Sequence, residues 1–167
     1  AKTLLEGDFV IFDTETTGFD GDDEIIQIGI IDQDGNTVLE TLICPTKPIE
    51  NSQYHGLTDE MVADAPIFPD VYEQIKAALE GKRVIAYNYD YDRRMLAQVC
   101  RQHGLPVIQF GDGDCAMEAY AQFNGEWNDY HGNYRWVKLR VALAAAGKTH
   151  TDLGPQEHDA CTDARAT

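Results

Sequence analysis

Two carboxylates directly follow the first apolar run of the sequence. Residues 9–12 have the sequence FVIF and lead into Asp13 and Glu15, which lie two positions apart. Side chains alternate along a strand, so these carboxylates would share one face of it. Neighbouring carboxylates repel each other unless a proton or cation compensates, and the hard cations Mg²⁺ and Mn²⁺ take oxygen ligands. The pair indicates a divalent metal site; the alternative is a turn residue at a strand end beside a surface charge.

Spacing alone does not identify this site, because Asp22 and Glu24 repeat it in a turn. Further candidates are Asp92, just past a short apolar strand, and the pair His158 and Asp163 near the end. Asp92 could instead be only a charge that favours a helix N-terminus. Residues five apart on a helix point ~140° apart, so the last pair converges only if the histidine lies at or before the helix start.

The elements that would position these residues follow from the apolar patterning. Strands are predicted at 8–13, 24–32, 36–44, 83–87 and 106–110, the first three as an antiparallel meander. Helices are predicted from Pro69 to Gly81, from Asn88 to Gly104, and over 114–123, 137–146 and 157–167. This order predicts a mixed sheet covered by helices, in which sites collect at strand ends.

Composition restricts the class of protein. The chain has 167 residues and 43% apolar content, which favours one compact globular domain. No apolar run reaches membrane-span length, and the N-terminus lacks the pattern of a signal peptide. The four cysteines form no Cys-x-x-Cys pair, so zinc and redox motifs are not expected. Reduced thiols in a cytoplasmic protein fit this spacing better.

The net charge of −16 restricts the kind of partner. Proteins that coat long duplexes replace counterions with Lys and Arg, and this chain has only 13 of these against 29 acidic residues. A protein that holds a short strand end through bound cations is still compatible with the charge.

Four motifs occur in an order that resembles a known family. FDTETTG follows the first strand, and YHGLTDEMVADAP, NYDYD and HDACTD come later in that order. This order resembles the DEDDh subgroup of 3′→5′ exonucleases, whose relatives include the proofreading subunit of bacterial DNA polymerase III. The resemblance extends from about residue 9 to the last residue. It implies an α/β, ribonuclease H-like fold with a five-stranded mixed sheet flanked by helices, in a single domain over 1–167.

The resemblance also implies a ligand set and a base. Two divalent ions, Mg²⁺ or Mn²⁺, would be held by Asp13, Glu15, Asp92 and Asp163, with Asp13 shared and His158 as general base. Asp92 is preferred to Asp90 because it fits the N-x-x-[FY]-D register.

Eight residues are implied to contact the nucleotides at a strand end. They are Thr14, Thr16, Thr17, Gly18, Tyr54, His55, Asn88 and Tyr91. Tyr54 and His55 would meet the last base, and Asn88 and Tyr91 the next position. Stacking on aromatic rings tolerates any base. The alternative for Tyr91 is a core-facing aromatic at a helix start.

The function expected from this resemblance is a metal-dependent 3′→5′ exonuclease that releases nucleoside 5′-monophosphates from single-stranded DNA or RNA, with DNA favoured. An RNA-trimming relative stays open because the motifs do not read the 2′-hydroxyl. A non-catalytic acidic domain that mimics nucleic acid also stays open, although it has no need of a complete ligand set. A polymerase or another replication or repair protein is an expected partner, and a membrane is not.

Two stretches have no single interpretation. The loop 125–136 interleaves aromatic rings with Arg135 and is followed by Lys138, so it could guide a strand or pack under the final helix. The segment 157–167 begins a helix without a stop signal. We therefore expect that the natural chain continues or that its tail is lost.

Overall fold

The computed structural model describes residues 8–154 and 158–167. The main sheet consists of β1 (Phe9–Thr16), β2 (Ile25–Asp32), β3 (Thr37–Leu42), β4 (Arg83–Ala86) and β5 (Gly113–Cys115). The strands lie in the order β3-β2-β1-β4-β5. β2 is antiparallel to both β1 and β3, whereas β4 is parallel to both β1 and β5. The predicted mixed five-stranded sheet is confirmed.

Helices flank this sheet. They are α1 (Ser52–His55), α2 (Asp59–Val62), α3 (Phe68–Leu79), α4 (Tyr89–Gln102), α5 (Ala116–Asn124), α6 (Leu139–Ala145) and α7 (Ala160–Ala166). A short antiparallel ribbon, β6 (Trp127–Asn128) and β7 (Asn133–Tyr134), connects α5 to α6. Of the described helices, none has the length and apolar character needed to cross a membrane.

The two faces of β1 meet different helices. Phe12 is buried in the main core, to which α3 and α4 contribute apolar residues at helical spacing. Ile11 faces the other way and packs with Cys161 of α7 in a smaller apolar cluster. Because side chains alternate along a strand, Asp13 and Glu15 lie on the Ile11 face, beside α7.

The predicted strand at 106–110 is wrong. Ile108 is buried in the main core, and the Gln109 carbonyl accepts a hydrogen bond from the Gly81 N–H at 2.8 Å. This apolar run therefore packs as an irregular segment, and β4 pairs with β5 instead. A side chain at Gly113 would collide with the ring of Tyr89. The glycine therefore lets β5 pack directly against this ring. The apolar character of residues 106–110 thus reflects packing in the core and not pairing in the sheet.

Other boundaries differ less. β1 extends to Thr16, three residues beyond the prediction, because this polar stretch continues to pair with β2. The predicted loop 125–136 contains the β6–β7 ribbon, and α1 and α2 were not predicted. The predicted helices 114–123 and 137–146 correspond to α5 and α6 within two residues at each end. The predicted helix start at residue 157 lies outside the described residues.

Candidate active site

Asp13 and Glu15 lie at the end of β1, on the face that meets α7. Thr14, between them, is buried toward the opposite face, while both carboxylates are half-buried. Their partners across the pairing with β2 are Gly29 and Gln27, respectively. The strand therefore places two carboxylates side by side next to the helix that carries Asp163.

Asp92 reaches the same site from the first turn of α4. Its carboxylate is only 3% exposed and accepts two hydrogen bonds from Thr14, from the N–H at 3.1 Å and from the hydroxyl at 2.7 Å. These bonds connect α4 directly to β1, so Asp92 has a fixed position beside Asp13. Asp90, two residues earlier, is exposed to solvent. The choice of Asp92 over Asp90 thus agrees with the geometry.

His158 and Asp163 converge because the histidine precedes the helix. His158 has a left-handed backbone, with φ of 57°, and Asp159 caps α7 by accepting a hydrogen bond from the Thr162 N–H. His158 Nδ1 lies 3.7 Å from Asp163 Oδ2. Ligand atoms of Glu15, His158 and Asp163 all lie within 4.8 Å of one another. The condition set by helix geometry, a histidine outside the helix and an aspartate inside it, is met.

The start of α7 is clamped to β2. The Gln27 amide donates to Asp159 Oδ2 at 2.8 Å, and the Ala160 N–H donates to Gln27 Oε1 at 3.1 Å. The same first residues of α7 pass directly over Gly29, where an added Cβ would lie 2.5 Å from the Ala160 carbonyl carbon. The missing side chain lets the helix lie against the sheet. Both contacts position His158 and Asp163.

Burial raises the pKa of three of these acidic side chains, and mutual repulsion adds to the increase for Asp13 and Glu15. Burial, and then the charges of Asp92 and Glu15, raise the pKa of Asp13 well above its usual value. Burial and the charge of Asp163 raise the pKa of Glu15 to about 9. Burial raises the pKa of Asp92 to about 7, although the hydrogen bonds from Thr14 oppose this. A bound cation would stabilise the ionised form of these crowded carboxylates. Their oxygen atoms are the ligands that Mg²⁺ and Mn²⁺ take.

The acidic cluster opens into a cleft of about 560 Å³. Its rim carries three aromatic rings in contact, with the Phe19 centroid 5.8 Å from that of Tyr54 and 6.4 Å from that of Tyr91. Phe19 is 60% exposed and Tyr54 56% exposed, so their faces are available to a ligand. The cleft thus combines a charged floor with an apolar, aromatic edge.

The eight implied nucleotide contacts divide into two groups. Thr14, Tyr54, Asn88 and Tyr91 line the cleft. Tyr91 is half-buried, and its hydroxyl lies 2.8 Å from Thr16 Oγ1. It lines the cleft and also packs against the main core, so both interpretations of this residue hold in part. Thr16 itself is buried and donates its hydroxyl to the Gly18 carbonyl at 2.8 Å.

The other members of that set serve the fold around the cleft. His55 is 2% exposed; its Nε2 meets Asn51 Oδ1 at 3.0 Å and its Nδ1 accepts from the Leu57 N–H at 3.1 Å. The Thr17 hydroxyl donates to Asp23 at 2.7 Å. An added Cβ at Gly18 would lie 2.5 Å from Asp23 Oδ2, so this glycine accommodates an internal carboxylate. Both ring nitrogens of His55 are therefore engaged inside the protein.

Sequence reasoning missed several residues that line the cleft. Phe19, Met117 and Arg140 were not proposed, whereas Trp136 was considered only as part of the loop 125–136 and Lys138 only as its neighbour. For Phe19 the available signal was an aromatic next to Gly18 in an otherwise acidic turn. For Trp136 and Arg140 no feature of the sequence indicates that their segment lies against the cleft.

Sheet, cleft and acidic cluster together define a nuclease of the ribonuclease H-like class. The model of the RNase_T exonuclease family matches residues 10–167, and the chain belongs to this family. Its members depend on divalent metal ions, which agrees with the donor set described above.

The most informative relatives differ in length. An uncharacterized exonuclease of Escherichia phage 186, CP81, is 38% identical over 174 residues, which cover 100% of this chain and 88% of that protein. A PolC-type DNA polymerase III of Caldanaerobacter subterraneus is 33% identical over 113 residues, which cover 64% of this chain but 8% of the polymerase. The likeness to the polymerase is confined to that small part of it.

Solved structures share the fold. Exonuclease X in complex with 5′ overhanging duplex DNA is 25% identical, with a TM-score of 0.60 and coverage of 95% of this chain and 87% of that one. Exonuclease I has a TM-score of 0.74 at 16% identity, covering 97% and 39%. The nuclease domain of 3′hExo, a DEDDh family member bound to rAMP, has a TM-score of 0.70 at 17% identity, covering 95% and 86%. The last two comparisons establish the fold alone.

Proposed function

We propose that this exonuclease acts in the 3′→5′ direction on single-stranded nucleic acid, with DNA preferred, and releases nucleoside 5′-monophosphates. The observation that carries the proposal is the convergence of four carboxylates and one histidine on a single open cleft. They are Asp13, Glu15, Asp92, Asp163 and His158. The segments that supply them are far apart in the chain, so chance surface clustering is a poor explanation. A non-catalytic nucleic-acid mimic has no need of this arrangement.

The proposed roles follow from the donor chemistry. Asp13, Glu15, Asp92 and Asp163 would hold two Mg²⁺ or Mn²⁺ ions, which offset the charge of the phosphate and acidify a water molecule. His158 lies at the exposed edge of this cluster and serves as the general base. Asp163, 3.7 Å from its Nδ1, orients the imidazole. Histidine suits this task because its charge changes near neutral pH.

The proposed reaction is hydrolysis of one phosphodiester bond. His158 takes a proton from water, whose oxygen bonds to phosphorus while the bond from phosphorus to the preceding 3′ oxygen breaks. The 3′ oxygen takes a proton from solvent and His158 returns its proton to solvent, which gives a shortened strand with a 3′-hydroxyl and a nucleoside 5′-monophosphate. The Phe19, Tyr54 and Tyr91 rings would hold the terminal base by stacking, which tolerates any sequence but needs an unpaired base.

Relatives support the proposed substrate and partners. An Exonuclease I structure contains single-stranded DNA, and polymerase III proteins occur among the relatives, which favours DNA and association with a polymerase or another replication or repair protein. A structure of a 3′-exonuclease that recognises a histone mRNA stem-loop keeps an RNA-trimming role as the alternative. The match over 10–167 supports one exonuclease domain. All four cysteines are free thiols, which suits the proposed cytoplasmic location.

The test is digestion of matched DNA and RNA single strands labelled at the 5′ end. We expect a ladder of shortened, still-labelled products with Mg²⁺ or Mn²⁺, none with chelator, and faster digestion of DNA. His158→Ala should lower the rate by about 10²–10⁴-fold. Asp90→Asn, a neighbour outside the cluster, should match the unmodified protein. Immediate release of the labelled 5′ nucleotide would contradict the proposed polarity, and faster digestion of RNA would favour the alternative.

A further inference from the structure

A short segment after the β6–β7 ribbon brings an indole ring and two cations to the cleft. Trp136, Lys138 and Arg140 all line it, together with the acidic cluster. Trp136 is 59% exposed, and both cations are exposed as well. We call these three residues the strand wall. Their side chains do not fill the core, so their place in the cleft needs another explanation.

The backbone of the strand wall is fixed from two sides. The Tyr87 hydroxyl at the end of β4 donates to the Val137 carbonyl at 2.6 Å. The Arg135 N–H donates to the Glu126 carbonyl at 2.7 Å, which extends the ribbon pairing. Trp136, between these two anchors, also lines a smaller hollow of about 240 Å³ between α5 and the ribbon. The indole therefore lies where the cleft adjoins the ribbon.

The charge of the strand wall is unusual for this chain. The protein carries a net charge of −16, and its other cations include several in ion pairs, such as Lys47 with Asp23 at 2.8 Å and Arg83 with Asp114 at 2.7 Å. Within the part of the chain that the structure describes, Lys138 and Arg140 form no ion pair, although they share a cleft with four carboxylates. Two cations beside a flat ring match the alternating phosphates and bases of a single strand.

We propose that the strand wall binds single-stranded nucleic acid beyond the last two nucleotides of the strand. In this arrangement Lys138 and Arg140 contact backbone phosphates and Trp136 stacks on one base. The inference rests on the proposed exonuclease function and extends it, because it assigns the next part of the substrate to named residues. It also explains how so acidic a protein keeps hold of a polyanion: the attraction is local, and the excess acidic residues lie elsewhere on the surface or in the metal site.

The test compares a long and a short substrate. The quantity measured is kcat/KM for a ten-nucleotide single strand divided by kcat/KM for a dinucleotide, in Mg²⁺ over a range of salt concentrations. We expect Trp136→Ala to lower this ratio about fivefold or more, the effect of losing one stacked base. Lys138→Ala with Arg140→Ala should lower it and reduce the salt slope by about one for each cation. Lys82→Ala with Arg101→Ala is the matched control, since both residues are exposed outside the cleft.

Each outcome has a defined meaning. A lower ratio in the strand-wall variants but not in the control supports the inference. An unchanged ratio, or an equal loss on both substrates, overturns it, because contacts beyond the second nucleotide affect only the longer strand. In that case the exonuclease function stands as long as the unmodified protein digests the dinucleotide. Failure of the unmodified protein on both substrates overturns the proposed function itself. Thermal unfolding of every variant verifies the fold.

Discussion

Gln27 and Asp159 lie 132 positions apart in the chain, yet the amide of the first donates to the carboxylate of the second at 2.8 Å. Gln27 stands beside Glu15 across the β1–β2 pairing, and Asp159 stands beside His158 at the start of α7. The contact therefore joins the two halves of the acidic site through residues that do not line the cleft. A second bond runs from the Ala160 N–H to Gln27 Oε1. It gives an acceptor to one of the backbone N–H groups that have no partner within the helix at the start of α7.

Gln27→Leu should weaken both the fold and the activity. The change removes both hydrogen bonds of a buried amide, which costs roughly 1–3 kcal/mol because the partners stay buried. Looser attachment of α7 should lower kcat more than the stability loss alone explains. Urea unfolding and digestion of a labelled strand at saturating Mg²⁺ measure the two effects. The control is Gln74→Leu on the exposed side of α3. Equal activity of the two variants would show that the clamp does not position α7.

Gly29→Ala should displace α7. The new Cβ would lie 2.5 Å from the Ala160 carbonyl carbon, so helix and sheet must separate. Overpacking of this kind costs roughly 1–3 kcal/mol. We expect a lower melting temperature and loss of most nuclease activity, with lower affinity for Mg²⁺ by calorimetry. Gly21→Ala adds the same methyl where nothing lies within 4 Å and should behave like the unmodified protein. An active, fully stable Gly29→Ala protein would contradict the described packing.

Asp92→Asn should change activity and stability in opposite directions. The amide oxygen can still accept from Thr14, but the charge that repels Asp13 is gone. Without metal, the variant should therefore melt at a higher temperature than the unmodified protein. With Mg²⁺ its activity should fall by more than about a hundredfold, the upper cost of losing even an outer partner of a metal site.

The matched change for that experiment is Asp90→Asn, on the exposed side of the same helix turn. It removes one charge as well, so any general effect of net charge appears in both variants. A gain in stability shared by Asp90→Asn would mean that overall charge, and not crowding at the site, destabilises the metal-free protein.

Metal-free protein should lose stability as the pH rises. Glu15 has a pKa of about 9 in the fold against 4.5 as its ordinary value, and Asp92 about 7 against 3.8. A carboxyl group with a raised pKa stabilises the fold below its ordinary value and loses that contribution as the pH rises through the raised one. Urea unfolding with chelator should therefore show decreasing stability between pH 5 and pH 9.

Saturating Mg²⁺ should flatten this dependence, and metal binding should release protons into a weakly buffered solution. Glu15→Gln should flatten the upper part of the curve without metal. Constant stability from pH 5 to pH 9 in chelator would mean that the carboxylates do not repel one another as described.

Local patterning offered each member of the acidic cluster as a candidate, and the family resemblance implied their roles, which stay a prediction. Asp13 and Glu15 follow from strand alternation, and Asp92 from its place after a buried strand at a helix start. His158 and Asp163 required one condition, a histidine outside the helix, which the left-handed backbone of His158 meets. The order of the four motifs along the chain then indicated the family.

The wrong strand and the contacts that were not predicted depend on how the chain folds back on itself. The apolar run 106–110 fills the core without pairing, because the strand position beside β4 is taken by the glycine-containing β5. Thr17 and Gly18 contact Asp23, six and five positions away, which local patterning does not reveal; their nucleotide contacts stay a prediction. The cleft position of Trp136 depends on the anchor from Tyr87 to Val137, fifty positions away. Such relationships are set by packing and not by periodicity.

The short helix that supplies Asp163 lies outside the main core. It is held to the sheet mainly through its first residues, by the bonds to Gln27 and the close approach over Gly29. A small shift of α7 therefore changes the position of Asp163 relative to the carboxylates of β1 while the main core keeps its packing. Catalytic competence thus depends on a narrow seam that contributes little to the packing of the main core.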